Sequence, residues 1–452
     1  MKSGEIFEVA IESLDQEGRG VGHREGKVVF VEGALPGEQV SYERRRNKAS
    51  YETGRVVEVA LHSALRTAPR CPHFGLQPGA CGGCSMQHIE SRAQIAIKQR
   101  VLEDSLWHIG RIRPERVLRP IGGPAWRYRY RARLSVRDVV KKGGVLVGFH
   151  ERASSFVADM DSCEVLPSRV SRLLVPLRRL VESLSLRDRL PQIELAAADV
   201  SDGQQIVLVL RVLREPTADD RRLLASFAQG EAVELWLQSG GPETATPLIA
   251  DQPSRLELVL QEYGVVLPFF PTDFTQVNHQ GNAALVGRAL RLLAPDANEK
   301  VVDFFCGLGN FTLPIATRAK HVHGVEGSEL LLGRARAAAA RNGLASRVSF
   351  EARNLFDWGA DDWRRVVDGR DGIDKVLIDP PREGALAIAR VLAAATHRPR
   401  RVVYVSCNPG SLARDCAVLV HDGGWALRAA GIVNMFPQTS HVESIAVLEP
   451  PA

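Results

Sequence analysis

A chain of 452 residues is longer than one ordinary core, so two or three domains are expected. Its 45% hydrophobic and 25% charged residues are the proportions of a soluble globular protein. No apolar run approaches a membrane span, and the opening MKSGEIFEVA lacks the apolar core of a signal peptide, so a cytoplasmic protein with no membrane partner is expected, and it is taken as a monomer.

The net charge of +5 is unevenly placed: residues 91–150 carry fourteen Lys/Arg against four Asp/Glu. From residue 5 to about 60, apolar and polar positions alternate in IFEVAIESL, KVVFVEGAL, EQVSYERRR and GRVVEVAL, separated by the breaks EGRGVGHREG and LPGE. Short strands with turn signals predict an antiparallel β-barrel of the oligonucleotide-binding kind over 1–62. The pieces DQEGRGVG, GKVVFVEGALPGE and GRVVEV also resemble the TRAM domain, an RNA-binding module of RNA-modifying enzymes. The basic run ERRRNK points the same way.

Residues 63–90 are irregular and hold three of the seven cysteines. An odd count in a cytosol-like chain does not suggest disulfides. Cys71, Cys81 and Cys84, with the remote Cys163, make four soft ligands for zinc or a [4Fe–4S] cluster, and the CxxC spacing leans toward zinc. His73 and His88 read as bystanders. A helix is predicted from about Ser91 to Ile109. In WRYRYRARLSVR, Arg127, Arg129, Arg131 and Arg133 alternate with Tyr128, Tyr130, Ala132 and Leu134, which on a strand sets the arginines along one face. That face is either a solvated exterior or a stripe that tracks phosphates. Strand signals dominate to about Phe270, so 63–273 is read as a central α+β domain with an RNA-binding surface.

From 274 to 452 strand and helix alternate: KVVDFF, HVHGVE, RVSFEA, DKVLID, RRVVYVS and ESIAVLE, with SELLLGRARAAAARNG and GALAIARVLAAAT as helices between. The alternation predicts an α/β Rossmann-like domain with ligands at the carboxyl ends of its strands. In DFFCGLGN, Gly307 and Gly309 permit a tight turn and close approach to a ligand. Glu326 ends the next strand, where a carboxylate can accept from both ribose hydroxyls. That layout fits S-adenosylmethionine (SAM) better than a nicotinamide nucleotide, which would bring a full GxGxxG. Cys306 reads as a small packed residue. In DPPR, Asp379 projects into the strand-end crevice or caps a helix. Cys407, before Asn408-Pro409, ends the following strand. Uracil C5 attacks a sulfonium methyl poorly until a thiolate adds at C6, and the C5 proton must then be removed. Cys407 supplies the nucleophile, and Glu443, closing FPQTSHVE, the base.

The order of these pieces resembles the RNA uracil-C5 methyltransferase family along essentially the whole chain. The resemblance implies that Gln276 in FTQVNHQGN, Phe305, Asn310, Glu326, Asn354 in RNLFD and Asp379 contact SAM or frame its pocket. It implies Cys407 as nucleophile and Glu443 as base. It also implies a [4Fe–4S] cluster on Cys71, Cys81, Cys84 and Cys163, as in the family's ribosomal RNA members, which reverses the lean toward zinc. The combination of TRAM-like domain, four cysteines and methyltransferase domain is most like members acting on a uracil-1939-type site of 23S rRNA. One departure is Asn434 in NMFPQT, where the family pattern has Asp. Rival readings are a uridine at another rRNA or tRNA site, a cytosine-C5 methyltransferase, and a non-catalytic iron–sulfur RNA-binding protein.

Overall fold

The computed structural model describes residues 5–201, 203–250 and 255–451. The N-terminal unit is one six-stranded sheet of β1 (Ile6–Ala10), β2 (Ser13–Leu14), β3 (Gly20–Arg24), β4 (Lys27–Glu32), β5 (Gln39–Asn47) and β6 (Tyr51–Leu61), in the order β1-β5-β6-β4-β3-β2. Three register shifts bend the β5–β6 pair. Val9, Ile11, Val29, Val31, Val40 and Tyr42 fill the concave side. Strand β3 lies inside a stretch expected to be a break. A Cβ on Gly22 would sit 2.3 Å from Ala10 O, and one on Gly20 would sit 2.9 Å from the Ile11 side chain. The glycines there let a paired strand cross close over β1, so their meaning is close approach, not a turn.

Helix α1 (Ser91–His108) follows, close to its predicted span, and then the short β7 (Arg116–Val117). Neither joins the central sheet. Leu102 and Leu106 of α1 pack into the core of the C-terminal layer, and β7 pairs in parallel with its edge.

The central sheet has the order β13-β12-β11-β10-β8-β9. Its strands are β8 (Arg131–Val139), β9 (Gly144–Gly148), β10 (Gln192–Val200), β11 (Gly203–Arg211), β12 (Glu234–Gln238) and β13 (Thr246–Pro247). Helices α2 (Ser168–Arg172), α3 (Leu174–Ser183) and α4 (Ala218–Glu231) accompany it, with α4 entered through a reciprocal cap between Thr217 and Asp220. Strand β8 starts only at Arg131. The Tyr/Arg alternation nevertheless runs through 127–130, with Tyr128 and Tyr130 buried. The arginines do not form a free stripe. Arg133 pairs with Glu194 at 2.9 Å, and Arg131 is largely enclosed, donating to Pro271 O at 2.9 Å.

A hairpin of β14 (Glu257–Leu260) and β15 (Val265–Pro268) packs Leu258, Leu260, Val265 and Leu267 onto the C-terminal core. The C-terminal layer then runs α5 (His279–Leu293), β16 (Lys300–Phe304), α6 (Thr312–Ala316), β17 (His321–Glu326), α7 (Glu329–Arg341), β18 (Val348–Ala352), α8 (Ala360–Asp368), β19 (Lys375–Ile378), α9 (Leu386–Ala394), β20 (Arg401–Ser406), α10 (Pro409–His421), β21 (Ala426–Val433) and β22 (Glu443–Glu449). Its sheet order is β18-β17-β16-β19-β20-β22-β21-β7. Strands β18, β17, β16, β19 and β20 are mutually parallel, whereas β22 runs antiparallel to both β20 and β21. Ser328 caps α7, and Gly343 follows its end in the left-handed region. Among the described residues no helix is long and apolar enough to cross a membrane.

Candidate active site

Each motif residue sits at the same edge of the C-terminal sheet, for reasons of register. Phe304 pairs with Val325 and Ile378, so Phe305, Glu326 and Asp379 emerge side by side. Ser406 pairs with Ser444 across the antiparallel β20–β22 ladder, and one further step sets Cys407 opposite Glu443. A residue at the start of its strand thereby meets one at the end of its neighbour. Asn408 caps α10 through Gly410 N, and Pro409 opens that helix. The chain therefore turns immediately after Cys407, leaving its thiol half-buried at the mouth.

The turn after β16 is tight. Phe305 adopts φ +61°, a conformation uncommon for a side chain with a Cβ. Glu326 accepts from Gly307 N at 3.2 Å and Ser328 N at 3.1 Å, which ties two strand ends together. Asn310 forms a reciprocal amide pair with Asn282 of α5, at 2.8 and 2.9 Å. Phe305 meets Phe356 edge-on at 5.9 Å, beside Asn354, which is exposed and donates to Asp357. Gln276 lies half-buried in the segment leading to α5. Phe356, Asn282 and Asp303 are site neighbours that the sequence did not single out. An aromatic two positions after Asn354 was the available signal for Phe356.

The edge is acidic. Asp303 is fully enclosed and accepts from Thr312 Oγ1 at 2.5 Å, while its Oδ1 is buried with no partner; burial pushes its carboxyl up to about 8. Burial likewise pushes Asp379 up to about 7. Glu443 is buried and makes no hydrogen bond or ion pair among the described residues. That burial, with Asp379 nearby, holds it well above the carboxylate range. Asp379 is not a helix cap, since α9 begins only at Leu386. Burial, Glu443 and Asp379 together push the Cys407 thiol up to about 11, opposed by Arg382. His441 sits beside Arg382 at 3.4 Å. Cys306 is buried and its thiol is held well above the ordinary range, which leaves it inert, as expected.

Near pH 11 the Asp379 carboxylate beside Cys407 is charged, so removing it should ease thiol ionisation. In Asp379→Asn the midpoint of Cys407 alkylation against pH should fall below that of the parent. An unchanged midpoint would show that Asp379 takes no part in setting it.

Lys98 of α1 is 1% exposed and donates to Asn434 Oδ1 and Phe436 O, each at 2.8 Å. Asn434, where the family pattern has Asp, leaves this amine without a carboxylate, and burial pushes it down to about 7. Between about pH 7 and the ordinary lysine value near 10.4, the unfolded chain binds more protons than the folded one. Stability should therefore rise with pH across that window. Asn434→Asp should flatten the rise, as read by unfolding midpoints at successive pH values.

The four cysteines expected to ligate metal come from three segments and line one cavity of about 320 Å³, together with Arg129, Thr439, Ser440 and His441. All four thiols are free. Burial pushes Cys84 up to about 12 and Cys163 up to about 11, and the neighbouring thiols add to both shifts. Among the described residues, no three His, Cys, Asp or Glu side chains are drawn close enough to hold a single metal ion. The expected metal centre is thus a ring of thiols around a space and not a formed ligand group. His73 binds Asp161 at 2.9 Å and His88 stacks on Phe74, so both are bystanders here.

The tRNA (Uracil-5-)-methyltransferase family matches residues 117–450, and the TRAM domain matches residues 2–41. The chain belongs to the tRNA (Uracil-5-)-methyltransferase family. Members similar to it include the 23S rRNA (uracil(1939)-C(5))-methyltransferase RlmD of Burkholderia ambifaria, 57% identical over 451 residues, with 97% of this chain and 94% of that protein covered. The protein of the same description from Bordetella bronchiseptica is 57% identical over 441 residues, covering 97% and 92%. Among solved structures, the Pyrococcus abyssi tRNA (uracil-54, C5)-methyltransferase in complex with S-adenosyl-L-homocysteine aligns over 98% of this chain and 100% of that one, with TM-score 0.72 and 21% identity. At that identity the likeness concerns the fold alone.

Proposed function

We propose that this enzyme uses SAM to methylate C5 of one uridine in 23S rRNA, at the uracil-1939-type site, by covalent addition of Cys407 to C6. The observation that carries the reading is the placement of Cys407 and Glu443 on adjacent antiparallel strands at one acidic sheet edge. The names of the relatives that match nearly the whole chain support the substrate.

The donor pocket is assigned to Gln276, Phe305, Asn310, Glu326, Asn354 and Asp379. Among the described residues no cation pairs with Asp303, Asp379 or Glu443, which suits a positively charged ligand. SAM supplies there a methyl group on a cationic sulfur. Cys407 loses its proton through its open side, and its sulfur bonds to uracil C6, which makes C5 electron-rich enough to take the methyl. Glu443 then accepts the C5 proton. The C5–H electron pair re-forms the C5–C6 double bond, and the C6–S bond breaks to return the thiolate. A carboxylate held above its usual range is the stronger base for that step. The target base must leave its RNA stack to reach the edge. The TRAM domain and the basic central region hold the surrounding RNA by its phosphates. The protein acts as a cytoplasmic monomer, before or during ribosome assembly.

Incubation of the purified chain with methyl-labelled SAM and unmodified 23S rRNA, followed by digestion to nucleosides, should give labelled 5-methyluridine. Label on tRNA alone, or in cytidine, would overturn the substrate.

Cys71, Cys81, Cys84 and Cys163 are assigned to a [4Fe–4S] cluster. Four thiols around a space not drawn in for one ion, with Cys81, Cys84 and Cys163 disfavoured as bare thiolates by burial, fit a cationic polynuclear group. The proposed chemistry contains no redox step, so the cluster's part is to hold the central domain together. Anaerobically purified protein should be brown, with about four irons per chain. Its loss should weaken RNA binding more than SAM binding. Stoichiometric zinc without iron would refute the assignment.

A further inference from the structure

The excursion between β21 and β22, residues 434–442, is gripped by parts of the chain far upstream. Four consecutive carbonyls are satisfied from four different places. Met435 O accepts from Asn278 Nδ2 at 3.0 Å and Phe436 O from Lys98 Nζ at 2.8 Å. Pro437 O accepts from the Tyr128 hydroxyl at 2.7 Å, and Gln438 O from the N–H groups of Ser85 and Met86 at 2.9 and 3.0 Å. Gln438 itself holds φ +67°, a conformation that a side chain with a Cβ adopts only when its surroundings impose it.

Gln94 of α1 is fully buried and stands at the joint. Its Oε1 accepts from Gln438 N at 2.9 Å, and its Nε2 donates to Gln438 Oε1 at 3.0 Å. The same Nε2 also contacts Met86 O at 3.0 Å and Ile89 O at 2.9 Å, in the loop that carries Cys81 and Cys84. One side chain thus fastens the cysteine-bearing loop to the segment that leads into Glu443. Glu443 is the first residue of β22, and its carboxylate has no hydrogen bond of its own to fix its direction. Its aim must come from packing and from how the preceding backbone re-enters the sheet.

We propose that Gln94 is a positioning residue for proton removal from C5: through Gln438 it sets the path of 434–442 and so the aim of Glu443 at the adduct. The proposal rests on the reading of Glu443 as the base. Methyl transfer precedes the step Gln94 serves, so its loss should spare addition and slow release.

The test uses full-length, anaerobically purified Gln94→Ala, with Gln438→Gly as a second variant. Glycine tolerates the positive φ and keeps the backbone bonds, including Gln438 N to Gln94 Oε1, losing only the bond from Gln94 Nε2 to the Gln438 side chain. Two substrates separate the steps. RNA bearing 5-fluorouridine reports addition and methyl transfer alone, because fluorine cannot leave as a cation and the adduct persists. RNA bearing uridine reports release, and unfolding midpoints report folding. Both variants should form the fluorinated adduct at the parent rate, yet release product from uridine RNA about 10- to 100-fold more slowly, with a denaturation-resistant adduct building up. Equal slowing on both substrates, or parent-like release in Gln94→Ala, would overturn the proposal. Glu443→Gln runs alongside. If it releases normally while Gln94→Ala stalls, the base assignment fails and the segment's role stands. If it stalls while both amide variants release normally, only the Gln94 proposal fails.

Discussion

Cys407→Ala should lose methyl transfer by about 10⁴-fold or more while retaining SAM affinity near that of the parent. The proposed donor pocket draws on the β16 turn, Glu326 and Asp379, whereas Cys407 lies one strand further on, at the end of β20. Its contribution begins only when sulfur bonds to C6, so the loss belongs in the chemical step and not in ground-state affinity. Equilibrium binding of SAM and single-turnover methylation, measured on the same preparation, separate the two quantities. Turnover at the parent rate would remove Cys407 from the mechanism. A parallel loss of SAM affinity would mean that the substitution had disturbed the strand end.

Glu443→Gln should fail differently. The amide is nearly isosteric with the carboxylate and leaves the β20–β22 register intact, so sulfur addition and methyl transfer proceed. The C5 proton then has no acceptor, and the C6–S bond persists. A methylated protein–RNA adduct that survives denaturing electrophoresis should accumulate, dependent on both SAM and Cys407. The substitution also removes a negative neighbour of Cys407, which should ease thiolate formation and speed the first step. Fast adduct formation with failed release is a combination that a general folding defect would not produce. Unimpaired release would transfer the role to His441, which closes the same segment, or to water.

Much of this edge is legible in one sequence because strand ends announce themselves. Asp303–Asn310, Asp379 and Cys407 each follow a short apolar run that stops at glycine or proline, and a parallel sheet lines such stops up along one side. Glu443 is legible as a carboxylate just before the final strand, but its place beside Cys407 depends on β22 running backwards, which no local pattern encodes. Strand β21 escapes notice because ALRAAGIV has weak intrinsic strand preference, and its partners fix its state. Strand β3 is hidden by glycines that ordinarily punctuate. The arginines of WRYRYRARLSVR look alike in sequence, but Glu194 and Pro271 O, both distant in the chain, occupy two of them. Gln94 gives no signal at all: a polar residue on a helix, its decisive partner lies 344 positions away.

The attachment of α1 and β7 to the far end of the chain bears on how the protein is made. Glu115 N bonds to Leu427 O, Leu118 N to Ala430 O and Ile121 N to Ile432 O, so this edge of the C-terminal layer closes only after β21 exists. On a ribosome, the apolar face bearing Leu102 and Leu106 emerges some three hundred residues ahead of its partners, and at about 5–20 residues per second it waits tens of seconds uncovered. Contacts of that sequence separation also make the final closure slow. A fragment beginning at residue 255, which keeps the β14–β15 hairpin, would face the converse problem: its sheet would lack β7, and the surface that α1 covers would stand open to water. Such a fragment should come out of expression aggregated, and supplying residues 91–121 as a separate chain should restore its solubility.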